Sequence, residues 1–275
     1  LVSFGFTARA MRNPEKFGSS TIYALLLTVL GVFPTEYFIG LEPLRFMFIW
    51  VIVSEVPGTF KQRSIQTLKL WGPYLLVWLG NVAWLAYFYT IGSYDSYAVE
   101  AATAPLTLFQ LPFIMLDALW KAGIYAWGQI IFLVAQTITA PSSLLSLGLI
   151  GVTFSLLLFY LTKLDLPHIE TRAFAIPALL IGITGIMLGR LPSFAADLPL
   201  KLQSSFDRFM ISMMLGGSLV ILGLIELMIV NARARTIVSA VLIALGIGQQ
   251  FFNANIFRRD WEKQQELLWQ MSWRV

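Results

Sequence analysis

Two charged residues stand three positions apart inside an apolar run, in Gly40-Leu41-Glu42-Pro43-Leu44-Arg45. At this spacing a carboxylate and a guanidinium share one face of a helix and can pair. Charges in hydrocarbon are costly unless paired, and they often mark a site. Two readings of Glu42 and Arg45 stand side by side. They are a self-neutralised pair at the membrane interface with Arg45 snorkelling outward. Alternatively, they form a polar site opening to the outer face, where Arg45 meets a phosphate with its planar fork and Glu42 orients it. Asp207-Arg208, in Ser205-Phe206-Asp207-Arg208-Phe209, brings a second arginine to the same level. Its plainer reading is a helix N-cap followed by an interface anchor. With Glu36, Asp95 and Glu100 on the same side, two arginines and several carboxylates are the set an anionic-lipid site needs. Arg45 and Arg208 are therefore the lipid-phosphate candidates, and Glu42, Asp207, Glu36, Asp95 and Glu100 the supporting acids. No catalytic residue is assigned. Asn81 reads as an interhelical hydrogen-bond donor, and His168 as a solvated loop residue.

These residues are carried by runs long enough to cross a bilayer, whose core of about 30 Å takes roughly 20 apolar residues as a helix. The chain of 275 residues is 57% hydrophobic and 12% charged, with mean hydropathy +0.74. Soluble domains carry about 25% charged residues. The spacing predicts spans over 19–35, 37–56, 70–92, 143–162, 173–190, 209–231 and 236–256. The stretch 106–138, interrupted by Pro112, Asp117, Lys121 and Gln129, is expected to form an interfacial or re-entrant helical hairpin on the outer side, with two short crossings as the alternative. The fold class is all-α: a polytopic integral membrane bundle of about seven transmembrane helices plus that hairpin. Residues 1–256 form the transmembrane domain, and 257–275 an amphipathic outer-face segment. A start at Leu1 and a stop within a continuing pattern predict a piece of a longer protein.

Lys and Arg collect in cytoplasmic loops. Arg9, Arg12 and Lys16, then Lys61, Arg63 and Lys69, then Lys163 and Arg172, then Arg233 and Arg235 place those links inside, and 93–105 and 191–208 outside. The net charge of +4 follows this topology rather than a nucleic-acid partner. With no cysteine and one histidine, disulfides, thiol chemistry and a His-based metal cage are not expected. No phosphate-cradling glycine loop or nucleophile elbow is present. Gly185 and Gly189, and Gly216, Gly217 and Gly223, have the small-residue spacing of packed membrane helices.

The segments Thr35-Glu36-Tyr37-Phe38-Ile39-Gly40-Leu41-Glu42-Pro43-Leu44-Arg45, Ser205-Phe206-Asp207-Arg208-Phe209 and Arg258-Arg259-Asp260-Trp261 resemble bacterial multi-pass proteins grouped with the GT-C glycosyltransferases, in the protein-mannosyltransferase-like branch. The resemblance implies an inner-membrane enzyme that moves sugar from a polyprenyl-phosphate donor at the outer face, with basic residues beside the lipid phosphate. Catalytic acids of that class sit in a first outer loop, which would precede Leu1. No cofactor is identifiable beyond that lipid-linked donor. The rival expectation is a non-catalytic membrane anchor or assembly module. A transporter is disfavoured by the missing inverted repeat and scarce mid-membrane polar residues.

Overall fold

The computed structural model describes residues 1–34, 36–91, 108–136, 141–164, 171–195, 198–202 and 207–273, and every regular element among them is helical. In order these are α1 (Val2–Arg12), α2 (Phe17–Val32), α3 (Leu41–Ser54), α4 (Phe60–Ile91), α5 (Leu111–Trp120), α6 (Ala126–Gln136), α7 (Pro141–Lys163), α8 (Thr171–Ala195), α9 (Met214–Met228) and α10 (Ala232–Ser272). Among the described residues four stretches are long and apolar enough to cross a membrane: Leu144–Lys163, Phe174–Ala195, Phe209–Met228 and Ala232–Ser272. The remaining expected spans differ in length from the sequence reading. α2 and α3 have 16 and 14 residues, about 24 and 21 Å, short of the bilayer core. α4 has 32 residues, about 48 Å, and overshoots it. The extra turns begin at Thr59, whose hydroxyl accepts from Gln62 N–H while Gln62 Oε1 accepts from Thr59 N–H, a reciprocal cap that starts the helix well before the apolar run.

The stretch 106–138 is where the sequence reading fails. α5, a π-helical turn over Lys121–Tyr125 and α6 follow one another without interruption. Unbroken helix from 111 to 136 leaves no place for the reversal that a hairpin or two crossings require. Pro112 falls in the first turn of α5, where a missing N–H costs nothing. Asp117 and Lys121 pair across one helical turn at 2.7 Å instead of breaking the helix. The residues read as interruptions are thus a start signal and an ordinary i, i+4 pair. The boundary expected at 256/257 also falls inside an element, because α10 runs through it to Ser272.

The chain divides into two compact units, Leu1–Ile124 with Ala175–Gly223, and Tyr125–Phe174 with Leu224–Val275. In the second unit α7 packs on α10. Ala240, Ala244 and Gly248, one helical turn apart, are the buried residues of α10, and Ile150 and the Ser146 carbonyl lie against Gly248. α7 exposes Leu144, Leu145, Val152, Leu156 and Phe159, as a lipid-facing helix does.

In the first unit the helices share two ends. At one, Arg12 pairs with Glu55 at 3.2 Å and Arg63 donates to the Val56 carbonyl at 3.3 Å. At the other, Gly40 meets the Leu188 carbonyl, Tyr37 packs edge-on against Phe209, and Gly189 meets Ser212. The basic residues of 9–16 and 61–63 therefore gather at the end opposite to 36–40, 188–200 and 209–212. Lys121 donates to the Leu200 carbonyl at 2.9 Å, so the middle of 111–136 lies beyond the C-terminal end of α8. α8 and α9 touch backbone to backbone: a Cβ on Gly182 would lie 2.8 Å from the Gly216 carbonyl oxygen, and one on Gly216 2.5 Å from the Ile186 nitrogen. Small residues are what allow such approach where no hydrophobic effect drives helix association.

Gly216→Ala is expected to destabilise the first unit by about 1–3 kcal/mol, the usual cost of overpacking, read as loss of melting temperature in detergent. Because the chain has no native cysteine, single cysteines report sidedness cleanly. Gln62→Cys is expected to label with an impermeant reagent only from the cytoplasm and Lys201→Cys only from outside. Labelling of both from one side overturns the topology.

Candidate functional site

Gly40 sets the position of the site. A Cβ there would overlap the Leu188 carbonyl oxygen, so only glycine admits the α8 backbone at the start of α3. One turn further on, Glu42 and Arg45 lie within the first turns of α3. A carboxylate in the first turn is favoured by the helix dipole. The pair forms as the spacing predicts: Arg45 Nε donates to Glu42 Oε1 at 2.5 Å and Nη2 to Oε2 at 3.0 Å, so both carboxylate oxygens are held by one guanidinium edge.

The direction of Arg45 is not as predicted. Both sequence readings had it reaching water or a ligand at the outer face, whereas Arg45 is 1% exposed and Glu42 2%. The guanidinium turns inward, where three other helices close on it. Nη1 donates to Thr7 Oγ1 at 2.6 Å, and Nη2 donates to Ser3 Oγ at 2.9 Å and Thr28 Oγ1 at 3.0 Å. Ser3 and Thr7 are one turn apart on α1, and Thr28 comes from α2. These hydroxyls can accept because each sends its own proton elsewhere: Ser3 and Thr28 to the Ala24 carbonyl at 2.7 and 2.8 Å, and Thr7 to the Ser3 carbonyl at 3.1 Å. The faces of the guanidinium are covered by the rings of Phe4 at 4.3 Å and Tyr74 of α4 at 4.4 Å. Cation–π contacts gain strength when water is excluded. Every guanidinium nitrogen has an acceptor and both faces have an aromatic lid. The arrangement pairs the two charges and buries both of them.

The other candidates divide. The 3-10 turns Glu36–Phe38 and Asp207–Met213 lie side by side through Tyr37 and Phe209, whose ring centroids are 5.3 Å apart. The backbone that carries Glu36 therefore adjoins the backbone that carries Asp207 and Arg208, while the side chains of those three lie outside the described residues. Asp95, Glu100 and His168 fall wholly outside them. Asn81 is fully buried and its amide reaches the Val32 carbonyl at 3.5 Å, the interhelical role expected of it.

Sequence reasoning missed the acceptors of Arg45 and a second basic group. Arg190, 6% exposed, donates through Nη1 to Ser193 Oγ at 2.6 Å and through Nη2 to the Leu198 carbonyl at 2.8 Å. Lys121 holds Leu200 two residues on. Two cations thus fasten the segment 198–202. The available signal was Arg190 closing a span on the side where basic residues are scarce. For the acceptors it was the hydroxyls Ser3, Thr7 and Thr28 inside otherwise apolar helices, where a polar group must find a partner. Among the described residues no three His, Asp or Glu side chains gather as a metal site.

No family model, no curated protein and no solved structure matches this chain.

Removing one partner of a buried ion pair leaves an uncompensated charge, at about 3–5 kcal/mol. Glu42→Gln and Arg45→Leu are each expected to destabilise by that order, and the double variant by clearly less than their sum. Thr7→Val, which takes one acceptor from the cation, is expected to cost about 1.5–3 kcal/mol. Thermal unfolding in detergent measures all four, and additive losses would show that Glu42 and Arg45 are not coupled.

Proposed function

We propose that this chain is a non-catalytic helical module of the inner (plasma) membrane, an anchor or assembly part of about seven spans, in which Glu42 and Arg45 act as an internal clasp. The observation that carries this reading is the enclosure of Arg45. Transfer of sugar from a polyprenyl phosphate requires preorganised charge beside the leaving phosphate. A guanidinium that already serves Glu42, Ser3, Thr7 and Thr28 would have to break those contacts to provide it. Two further ion pairs, Arg12 with Glu55 in the first unit and Arg235 with Glu226 in the second, each join one helix to another. On this reading the charges of the chain fix topology and packing. The glycosyltransferase reading suggested by the resemblance keeps Arg208 as its phosphate contact.

Retention of a polyprenyl-phosphate analogue by the purified full-length protein separates the two. The parent, Arg45→Lys and Arg208→Lys are compared at matched folded yield. Lysine keeps the charge but lacks the bidentate fork. The anchor reading expects no saturable retention in the parent, or retention unchanged in both variants. Saturable retention that falls tenfold or more in Arg208→Lys would replace it with the glycosyltransferase reading.

A further inference from the structure

The residues of α4 that carry buried hydrogen-bonding groups fall on one face. Arg63, Thr67, Trp71, Tyr74, Trp78 and Asn81 follow one another at steps of four, four, three, four and three, the repeat that keeps residues on one side of a helix. A polar stripe on a membrane helix needs partners on the elements it faces. Along the second half of the stripe the protein supplies them. The Tyr74 hydroxyl meets the Thr7 hydroxyl at 3.3 Å, Trp78 Nε1 donates to the Ile39 carbonyl at 2.8 Å, and the Asn81 amide reaches the Val32 carbonyl, with its Oδ1 left unmet.

Along the first half it does not. Arg63 Nε, Thr67 Oγ1 and Trp71 Nε1 are buried, and none has a hydrogen-bond partner among the described residues. Ser54 Oγ of α3 is a fourth such atom. Contacts put all four on the seam between α3 and α4. Trp71 packs edge-on against Phe46 with ring centroids 5.4 Å apart, Phe60 meets Trp50 at 5.1 Å, and Arg63 Nη2 donates to the Val56 carbonyl. Thr67, midway between Arg63 and Trp71 on the same face, is 0% exposed. Ser54 lies between Trp50 and Val56, the α3 side of this end of the seam.

The chemistry of the four atoms limits what can meet them. Arginine Nε and tryptophan Nε1 only donate, whereas the two hydroxyls both donate and accept. The pure donors cannot serve each other, so each needs an acceptor. Arg63 and Trp71 are eight residues apart, about 12 Å along the helix, and a hydrogen bond spans only about 3 Å. One ion or one water cannot reach both ends. A row of water can, because each molecule accepts and donates in turn, and buried water sits where several polar groups converge. The exposed Arg12–Glu55 pair, beside Val56, marks the wet end of the seam.

We propose that a short file of ordered water occupies the α3–α4 seam, entering beside Glu55 and running past Ser54, Arg63 and Thr67 to the Trp71 indole. It stops there because the next group, the Tyr74 hydroxyl, is already met by Thr7. The file does not depend on whether the chain is an anchor or an enzyme.

The test places the protein, labelled with 15N-tryptophan, in nanodiscs of deuterated lipid and records transfer from water to each indole N–H by NMR. Trp71→Phe and Trp78→Phe assign the two signals. The expected result is a water cross-peak at Trp71, and exchange with D2O about tenfold or more faster there than at Trp78, whose N–H is held by a carbonyl. Thr67→Val keeps the side-chain shape and removes the hydroxyl. It should slow exchange at Trp71 by about tenfold and leave Trp78 unchanged. If that variant does not fold, the comparison of Trp71 with Trp78 in the parent decides. Equal exchange at the two indoles overturns the proposal, as does exchange at Trp71 that Thr67→Val leaves unaltered. A Trp71 signal that shifts saturably when chloride replaces gluconate would assign the seam to an anion, and also overturns it.

Discussion

A guanidinium withdrawn from water must have its donors met by the protein, because nothing else in a hydrocarbon environment can meet them. The first unit is arranged around that constraint. Arg45 draws an acid from its own helix, two hydroxyls from α1, one from α2 and ring faces from α1 and α4. Each contributor is fixed by another need as well, since the hydroxyls are anchored to carbonyls one turn back or on the neighbouring helix. Hydrophobic burial gives helices little reason to choose one neighbour over another in lipid. A directional, many-partner cation does, and it specifies which faces of α1, α2, α3 and α4 meet.

Where no charge is at work, closeness is obtained by removing side chains. α8 and α9 approach through Gly182 and Gly216, Gly189 meets the turn before α9, and α10 offers Ala240, Ala244 and Gly248 within its own unit. Gly40 joins the two devices, because the same missing Cβ that admits the Leu188 carbonyl fixes the start of α3 and thereby the depth of Glu42 and Arg45. Backbone contact at one helix end thus sets the level at which the ion pair must be satisfied.

Charge is distributed by purpose along the first unit. The pair that lies deepest is neutral and sealed, while the cations near the Glu55 end are exposed and in excess. Arg190 and Lys121, at the other end, are spent on backbone carbonyls of 198–202. This separation is why a residue type suited to phosphate does not by itself make a phosphate site.

Composition and run length alone determined that the chain is helical and built for a membrane, since apolar runs without water leave the backbone no other way to satisfy itself. The i, i+3 spacing of Glu42 and Arg45 determined their pairing, because that contact lies within one helix. The glycine spacing determined which faces of α8 and α9 pack. What the sequence left open is every contact that joins distant segments. Ser3, Thr7 and Thr28 lie between 17 and 42 residues from Arg45, and no local pattern says that α1 and α2 fold back onto α3. The continuity of 111–136 was equally hidden, because Asp117 and Lys121 look like breaks until they are seen to pair with each other. Whether a buried arginine faces a ligand or its own protein is decided by neighbours brought together in three dimensions, and here tertiary packing supplied enough acceptors to close the site.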